Sequence, residues 1–324
     1  MGRPFAFQEG MKKVFQIGEN ESSQRLDRFL RKEFPKAALS FLQKAIRTGR
    51  VKVDGKKAKG LQMLQPGQSV SVFFAADHFQ VEKSPAKDWG RIAGSKFFQT
   101  NFKPIFEDES FLAVAKPAGL AVHGGSKIFS STLLDLVCAH IFQANPAATK
   151  PHPLHRLDRE TSGVVLFAKN VRAAREGSRL FQAQNGRVRK FYRALLCGNL
   201  QESSGEIRAK ICVESSGAKV ANSENAKAAL TKFRVERRAA NFTLVRVEIL
   251  TGRKRQIRAH FAHLGFPVAG DSRFAPPSNF PVKTFPRLLL HGESLTFTHP
   301  FSGRQVCLEA KLPLDFHEFL DRIF

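Results

Sequence analysis

Asp158 stands between Arg156 and Arg159 in the run PLHRLDRETSGVVLFAKN, and a polar turn, Glu160-Thr161-Ser162-Gly163, carries the chain from it into an apolar strand. Cations on both sides favour the charged form of a carboxylate. An ionised carboxylate at the mouth of a strand can serve as a nucleophile or a base. A surface ion-pair turn would use the same residues, so physics alone leaves both readings open. The chain supplies its own control. Arg-Leu-Asp also occurs at 25–27, but there apolar spacing continues as a helix and Asp27 is expected to be solvated. Only the second copy runs into a glycine turn and a buried strand, which makes Asp158 the better catalytic candidate.

Tyr192 is the only tyrosine, beside 31 phenylalanines. Its ring could stack on a planar base and its hydroxyl could accept or donate a proton; a buried structural tyrosine would look no different. TGRKRQIR (251–258) holds four cations, Arg253, Lys254, Arg255 and Arg258. A helix from about 254 would put Lys254 and Arg258 on one face. Phosphate binding is the simplest use of these cations. His152/His155 and His260/His263 have the spacing of shared metal ligands, but no Cys, Glu or Asp completes a tetrahedral set, so no metal is expected. No Walker loop and no GxGxxG occurs, so no nucleotide cofactor is implied.

These groups sit in a strongly cationic chain. Lys and Arg total 52 against 28 acids, a net charge of +24. Such self-repulsion is relieved by a polyanionic partner, and nucleic acid gains affinity from each neutralised phosphate. The four cysteines (Cys138, Cys197, Cys212, Cys307) form no CxxC. That argues against a disulfide framework and a zinc ribbon, and fits a reducing compartment. No signal-like or membrane-spanning apolar run is visible, so a soluble cytoplasmic protein is expected, with no membrane and no obligate protein partner.

The elements that must position the site fall into three segments. Residues 17–76 read as a small α/β module. Leu26, Phe29 and Leu30 have helical spacing; SFLQKAIRTG is a second helix with capping-box spacing at Ser40 and Gln43, and Gly49 sits at its left-handed end. VKVDGKKAKG is a hairpin turning at Asp54-Gly55, and PGQSVSVFF closes the sheet. Between Arg25 and Lys59 lie twelve Lys or Arg against three acids, either a phosphate-binding surface or a solvated charged face. Residues 77–104 lack periodicity and read as a linker. Residues 105–324 alternate strand-like runs (FLAVAKP, GVVLFAK, KFYRALLCG, ALTKFRVERR, FTLVRVEIL, ESLTFTH) with helical segments near 131–142, 170–184, 254–264 and 314–323. Consecutive strands without helices between them indicate an α+β fold with a mixed, largely antiparallel sheet.

HRLDRETSG closely resembles the central motif of the RluA-type pseudouridine synthases. KPAGLAVHGG (116–125), KFYRALLCG (190–198), TGRKRQIRAHFAHLGFPVAGDSRF (251–274) and LLLHGESLTFTHPFSG (288–303) resemble further motifs of that family in the same order, so the match spans residues 105–324. The first module resembles, over about sixty residues, the RNA-binding domain first named for ribosomal protein S-four. The resemblance implies an isomerase that converts uridine to pseudouridine in structured RNA without a cofactor. Asp158 would be its catalytic carboxylate, Tyr192 its active-site tyrosine and Arg258 the arginine that pairs with the aspartate. Arg156, Arg253 and Gln256 would contact substrate, Arg156 by filling the space left by an everted base or by gripping the backbone. Arg25, Arg28, Arg47, Arg50 and Lys52 would bind phosphates. Where the family usually has Thr-His, this chain has Lys254-Arg255, a departure that bears on local RNA contacts. The appended module points to large-subunit ribosomal RNA as substrate, with tRNA the alternative. A non-catalytic RNA-binding or assembly factor would be expected to have lost Asp158, Tyr192 or Arg258. A DNA-binding protein should carry a helix-turn-helix or zinc-finger signature, and no persuasive one is present.

Overall fold

The computed structural model describes residues 11–18, 24–34, 37, 39–74, 88–124, 131–183, 186–214, 217–274, 276, 280 and 285–324. The chain separates into two units, Met1–Lys87 and Asp88–Phe324.

In the first unit β1 (Met11–Gln16), α1 (Leu26–Glu33), α2 (Leu39–Arg47), β2 (Val51–Val53), β3 (Lys56–Lys57) and β4 (Ser69–Phe74) follow one another. The antiparallel sheet has the order β1-β4-β2-β3. Leu26, Phe29 and Leu30 form the buried stripe of α1, and Val51, Val53, Val70, Val72 and Phe74 meet it from the sheet. Asp54 and Gly55 adopt φ 50° and 75°, the left-handed pair that a two-residue hairpin turn requires. Two expectations fail here. β1 precedes the expected module, because MKKVFQ is too charged to stand out as a strand. The Ser40–Gln43 capping box does not form either: α2 already begins at Leu39, so Ser40 lies inside the helix rather than in the extended backbone of a cap.

Of the expected linker, residues 77–87 lie outside the described residues, and the remainder is structured. Asp88 caps α3 (Trp89–Ala93) by accepting from the Arg91 amide at 2.9 Å. Ser95 caps α4 (Lys96–Asn101) through the Phe98 amide at 3.1 Å. Helices this short show no periodic stripe in sequence, yet Ile92, Phe98 and Phe102 pack on the main core and Trp89 lies against Phe142.

The second unit continues with β5 (Pro104–Glu107), β6 (Phe111–Lys116), α5 (Leu133–Ala144), β7 (His152–Pro153), β8 (Ser162–Ala168), α6 (Val171–Gln182) and β9 (Val188–Cys197). Then come β10 (Ser204–Glu214), β11 (Gly217–Val220), β12 (Lys227–Ala239), β13 (Phe242–Ile249), α7 (Gln256–His263), β14 (Leu290–Thr298), β15 (Gln305–Glu309) and α8 (Leu314–Asp321). Among the described residues eleven strands form one sheet, β11-β10-β12-β13-β9-β14-β8-β6-β5, with β15 on β14 and β7 on β8. Every pairing is antiparallel except β14 with β8. The fold is therefore α+β and largely antiparallel.

The parallel junction positions the site. Ser162 and Gly163 pair with His291 and Gly292. Gly163 has φ +131°, and a Cβ there would stand 2.2 Å from the Gly292 carbonyl oxygen. Only glycine lets the two backbones close this far. Every residue of β8 is buried, and the turn that leads into it begins at Asp158.

Candidate active site

Asp158 closes a turn with its carbonyl accepting from the Thr161 amide at 3.1 Å, while its neighbour Leu157 is buried in the core. The turn is tied down from beneath by Lys116, only 2% exposed. Its Nζ donates to the carbonyls of Pro117, Leu120 and Arg159 at 2.8, 2.7 and 2.9 Å. Arg159 returns the tie, Nε donating to the Gly119 carbonyl at 2.9 Å. Burial pulls Lys116 down to about 7, against Glu160 and Asp158, which raise it, and Arg287, which adds to the fall. Sequence reading missed Lys116; a lysine ending an otherwise apolar strand before Pro-Ala-Gly was the available signal.

Arg258, on α7, donates from Nη1 to Asp158 Oδ2 at 3.0 Å. The other side of its guanidinium forks onto Asp271, with Nε to Oδ2 and Nη2 to Oδ1 at 2.7 Å. Asp271 was not foreseen, though it lies within the quoted GDSRF segment. Its side chain is fully buried, and it also accepts from the backbone amides of Arg273 and Phe274 at 2.9 and 3.1 Å. Burial alone would raise the Asp271 carboxyl, but Arg258 and these amides hold it below its ordinary range. Burial likewise works against the Arg258 cation, and Asp271, then Asp158, more than reverse that. A buried carboxylate thus fixes an arginine whose third nitrogen reaches Asp158.

Tyr192 lies on β9 opposite Val247, 8% exposed. Burial, with Asp158 as second cause, pushes its hydroxyl well above the usual phenol range, so it stays protonated at neutral pH. Gly292 leaves room for it: a Cβ there would lie 3.4 Å from Tyr192 Cε1 and 3.5 Å from Leu157 Cδ2. Asp158, Arg258 and Tyr192 line one cleft of about 890 Å³, together with Arg156, Arg253 and Arg255. That volume is ample for one nucleotide.

The structure divides the remaining candidates. Arg156 is exposed at the cleft and makes no hydrogen bond or ion pair among the described residues. Arg253 lines the cleft with Nε donating to the Ala228 carbonyl at 3.0 Å. Gln256 lines the cleft but directs its amide into the protein. Its Oε1 accepts from Thr251 Oγ1 and the Arg253 amide at 2.8 and 3.1 Å, and its Nε2 donates to the Leu230 carbonyl and Thr231 Oγ1 at 2.9 and 3.0 Å. All four bonding positions of the amide are used internally, so Gln256 pins the 251–256 loop to β12. In the first unit Arg28, Arg47 and Arg50 are exposed, and the Lys52 ammonium lies 5.7 Å from the Phe73 ring centroid. Arg25 is forked onto Asp27 at 3.0 and 2.7 Å, so Asp27 is paired rather than merely solvated.

One histidine of each pair is engaged within the fold. His155 Nε2 accepts from the Leu166 amide at 3.1 Å and its ring stacks on Phe181; burial, then Lys190, pull it down to about 3. His260 bonds Thr231 Oγ1 at 2.9 Å and the Ala209 carbonyl at 3.3 Å.

Comparison with known proteins identifies the family. A family model described as RNA pseudouridylate synthase matches residues 110–263. The ribosomal large subunit pseudouridine synthase C of Vibrio cholerae is 31% identical over 307 residues, covering 93% of each chain. The uncharacterized RNA pseudouridine synthase YlyB of Bacillus subtilis is 30% identical over 94% of this chain and 96% of its own length. Among solved structures, human RNA pseudouridylate synthase domain containing 4 superposes with a TM-score of 0.58 at 24% identity, covering 72% of this chain and 96% of that one, a likeness of fold. Identity at this level along nearly the whole length places the chain in the RNA pseudouridylate synthase family.

Proposed function

We propose that this protein isomerises uridine to pseudouridine in large-subunit ribosomal RNA, in the cytoplasm, with Asp158 as catalytic carboxylate. The observation that carries the reading is the Asp158–Arg258 pair at 3.0 Å in a nucleotide-sized cleft shared with Tyr192. The names of the Vibrio cholerae and Escherichia coli relatives, both ribosomal large subunit pseudouridine synthase C, favour ribosomal RNA over tRNA.

The reaction breaks the bond from N1 of the base to C1′ of the sugar, turns the base, and joins C5 to C1′. The C5 proton is lost and N1 gains one, so the net change is zero. A stacked uridine cannot reach Asp158, so it must leave the helix at a cost of about a few kcal/mol. Arg156, free of protein partners, is available to hold the vacated space or the backbone. Asp158 presents Oδ1, which bonds nothing among the described residues, while Oδ2 is held by Arg258. Attack at C1′ and removal of the C2′ proton are both within reach of such an oxygen, and both need the carboxylate charged and held in one orientation. A phenol that keeps its proton makes Tyr192 a ring to stack on and a hydrogen-bond donor, not a base.

Pseudouridine mapping of ribosomal RNA and tRNA from cells lacking the gene tests this reading. We expect one or more ribosomal sites to vanish, to return with the wild type and to stay absent with Asp158→Asn. Unchanged maps would favour an RNA-binding factor, and a lost tRNA site would move the substrate.

A further inference from the structure

The cation at position 255 is left without an anion. Arg255 immediately precedes α7 in a left-handed conformation, φ 55° and ψ 29°, that a side chain rarely adopts. Its side chain does not cap the helix. It lines the same cleft as Asp158, its Nε is buried, and it has no hydrogen bond or ion pair among the described residues. The nearby carboxylates pair with Arg258 rather than with Arg255. Asp271 receives two donors from Arg258 and two backbone amides, and Asp158 Oδ2 receives Arg258. Burial lowers the Arg255 pKa; Asp158 and Asp271 raise it, while Arg273 and Arg258 oppose them, and the net movement is downward. A half-buried guanidinium beside two other arginines, in an unusual backbone conformation, is costly in the free protein. It becomes favourable once an anion enters.

We infer that Arg255 forms a phosphodiester subsite beside Asp158, holding the RNA backbone at the everted nucleotide. This rests on the reading of the protein as an RNA pseudouridine synthase. The uracil base is neutral and offers only carbonyl oxygens, whereas a phosphodiester matches a guanidinium in charge and in fork geometry. The subsite is separate from Arg258, each of whose three nitrogens already donates to a carboxylate. Because arginine keeps its charge throughout the working range, the contact should not depend on pH.

The test uses the full-length protein and ribosomal RNA purified from cells lacking the gene, with kcat and KM for pseudouridine formation measured across a salt series. Arg255→Gly is the first variant, since glycine adopts the same backbone without strain and the fold is expected to survive. KM should rise about tenfold with kcat within a factor of about two, as expected when ground-state and transition-state binding are lost equally. The slope of log KM against log salt should fall by about 0.7, the single-strand value for one phosphate. Arg255→Lys should restore that slope. Arg255→His should show a KM that approaches the wild-type value as pH is lowered from 8 to 6 and the imidazole becomes charged. Wild-type KM and salt slope in Arg255→Gly would overturn the assignment, as would a loss confined to kcat. A wild type that modifies no site in this RNA would overturn the substrate reading, and the assignment with it.

Discussion

At the scale of single residues, the site is an ordered chain of charge: buried Asp271 fixes Arg258, and Arg258 fixes Asp158. Asp271→Asn removes the fully buried one of the two carboxylates that balance the Arg258 cation, which should destabilise the protein by about 3 kcal/mol in urea unfolding and lower kcat as well. Tyr192→Phe should behave differently. The hydroxyl has no partner among the described residues, so stability and KM should hardly move, while kcat should fall by about tenfold or more, the scale of a lost donor. Stopped assays with and without saturating RNA separate the two parameters. The sequence named Asp158, Arg258 and Tyr192 from motifs far apart along the chain, and the structure brings all three to one cleft. Sequence was a poor guide to Lys116, Asp271 and Gln256. Lysine, aspartate and glutamine read as surface residues, and only tertiary contacts show that they are buried and fully bonded.

At the scale of elements, the site depends on the one parallel junction, β8 against β14. His291 sits at that junction, 2% exposed, with Nε2 3.0 Å from the Ala310 carbonyl and Nδ1 2.8 Å from Ser162 Oγ. A carbonyl can only accept, so Nε2 carries the hydrogen and Nδ1 accepts from the Ser162 hydroxyl. Burial is the main cause that holds His291 down at about 4; the Ala310 carbonyl opposes it, Arg287 and Arg193 add to it, and Asp315 opposes it. Below pH ~6.5 the unfolded chain takes up a proton that the folded one refuses, so stability falls as pH drops from there toward 4. His291 should account for about 3 kcal/mol of that loss, and none above pH ~7. His291→Gln keeps one donor and one acceptor and should flatten the decline in urea unfolding between pH 7.5 and 4.5. The strongly apolar strands β6, β8, β9, β13 and β14 were legible from sequence. β10 and β11 were not, since SGEIRAKICVE and GAKV interleave charge and small residues at the sheet's end. The helices α3 and α4 escaped for a different reason, being too short for a period to register.

At the scale of the whole molecule, the net charge of +24 is the widest clue and the least specific one. It pointed to a polyanion without saying which cations meet it. In the first unit the structure leaves Arg28, Arg47 and Arg50 exposed, but engages Arg25 with Asp27. Replacing Arg47 and Arg50 with alanine should therefore weaken RNA binding, flatten its salt dependence by about 0.7 for each phosphate lost, and leave kcat at saturating RNA unchanged. Filter binding across a salt series measures this. No helix among the described residues is long and apolar enough to cross a membrane. The central claim, that one carboxylate performs the chemistry, is tested most directly by single-turnover pseudouridine formation with Asp158→Asn on ribosomal RNA from cells lacking the gene. The account predicts RNA affinity within about twofold of wild type and a rate lower by about 10³-fold or more; formation at a rate near that of the wild type would contradict it.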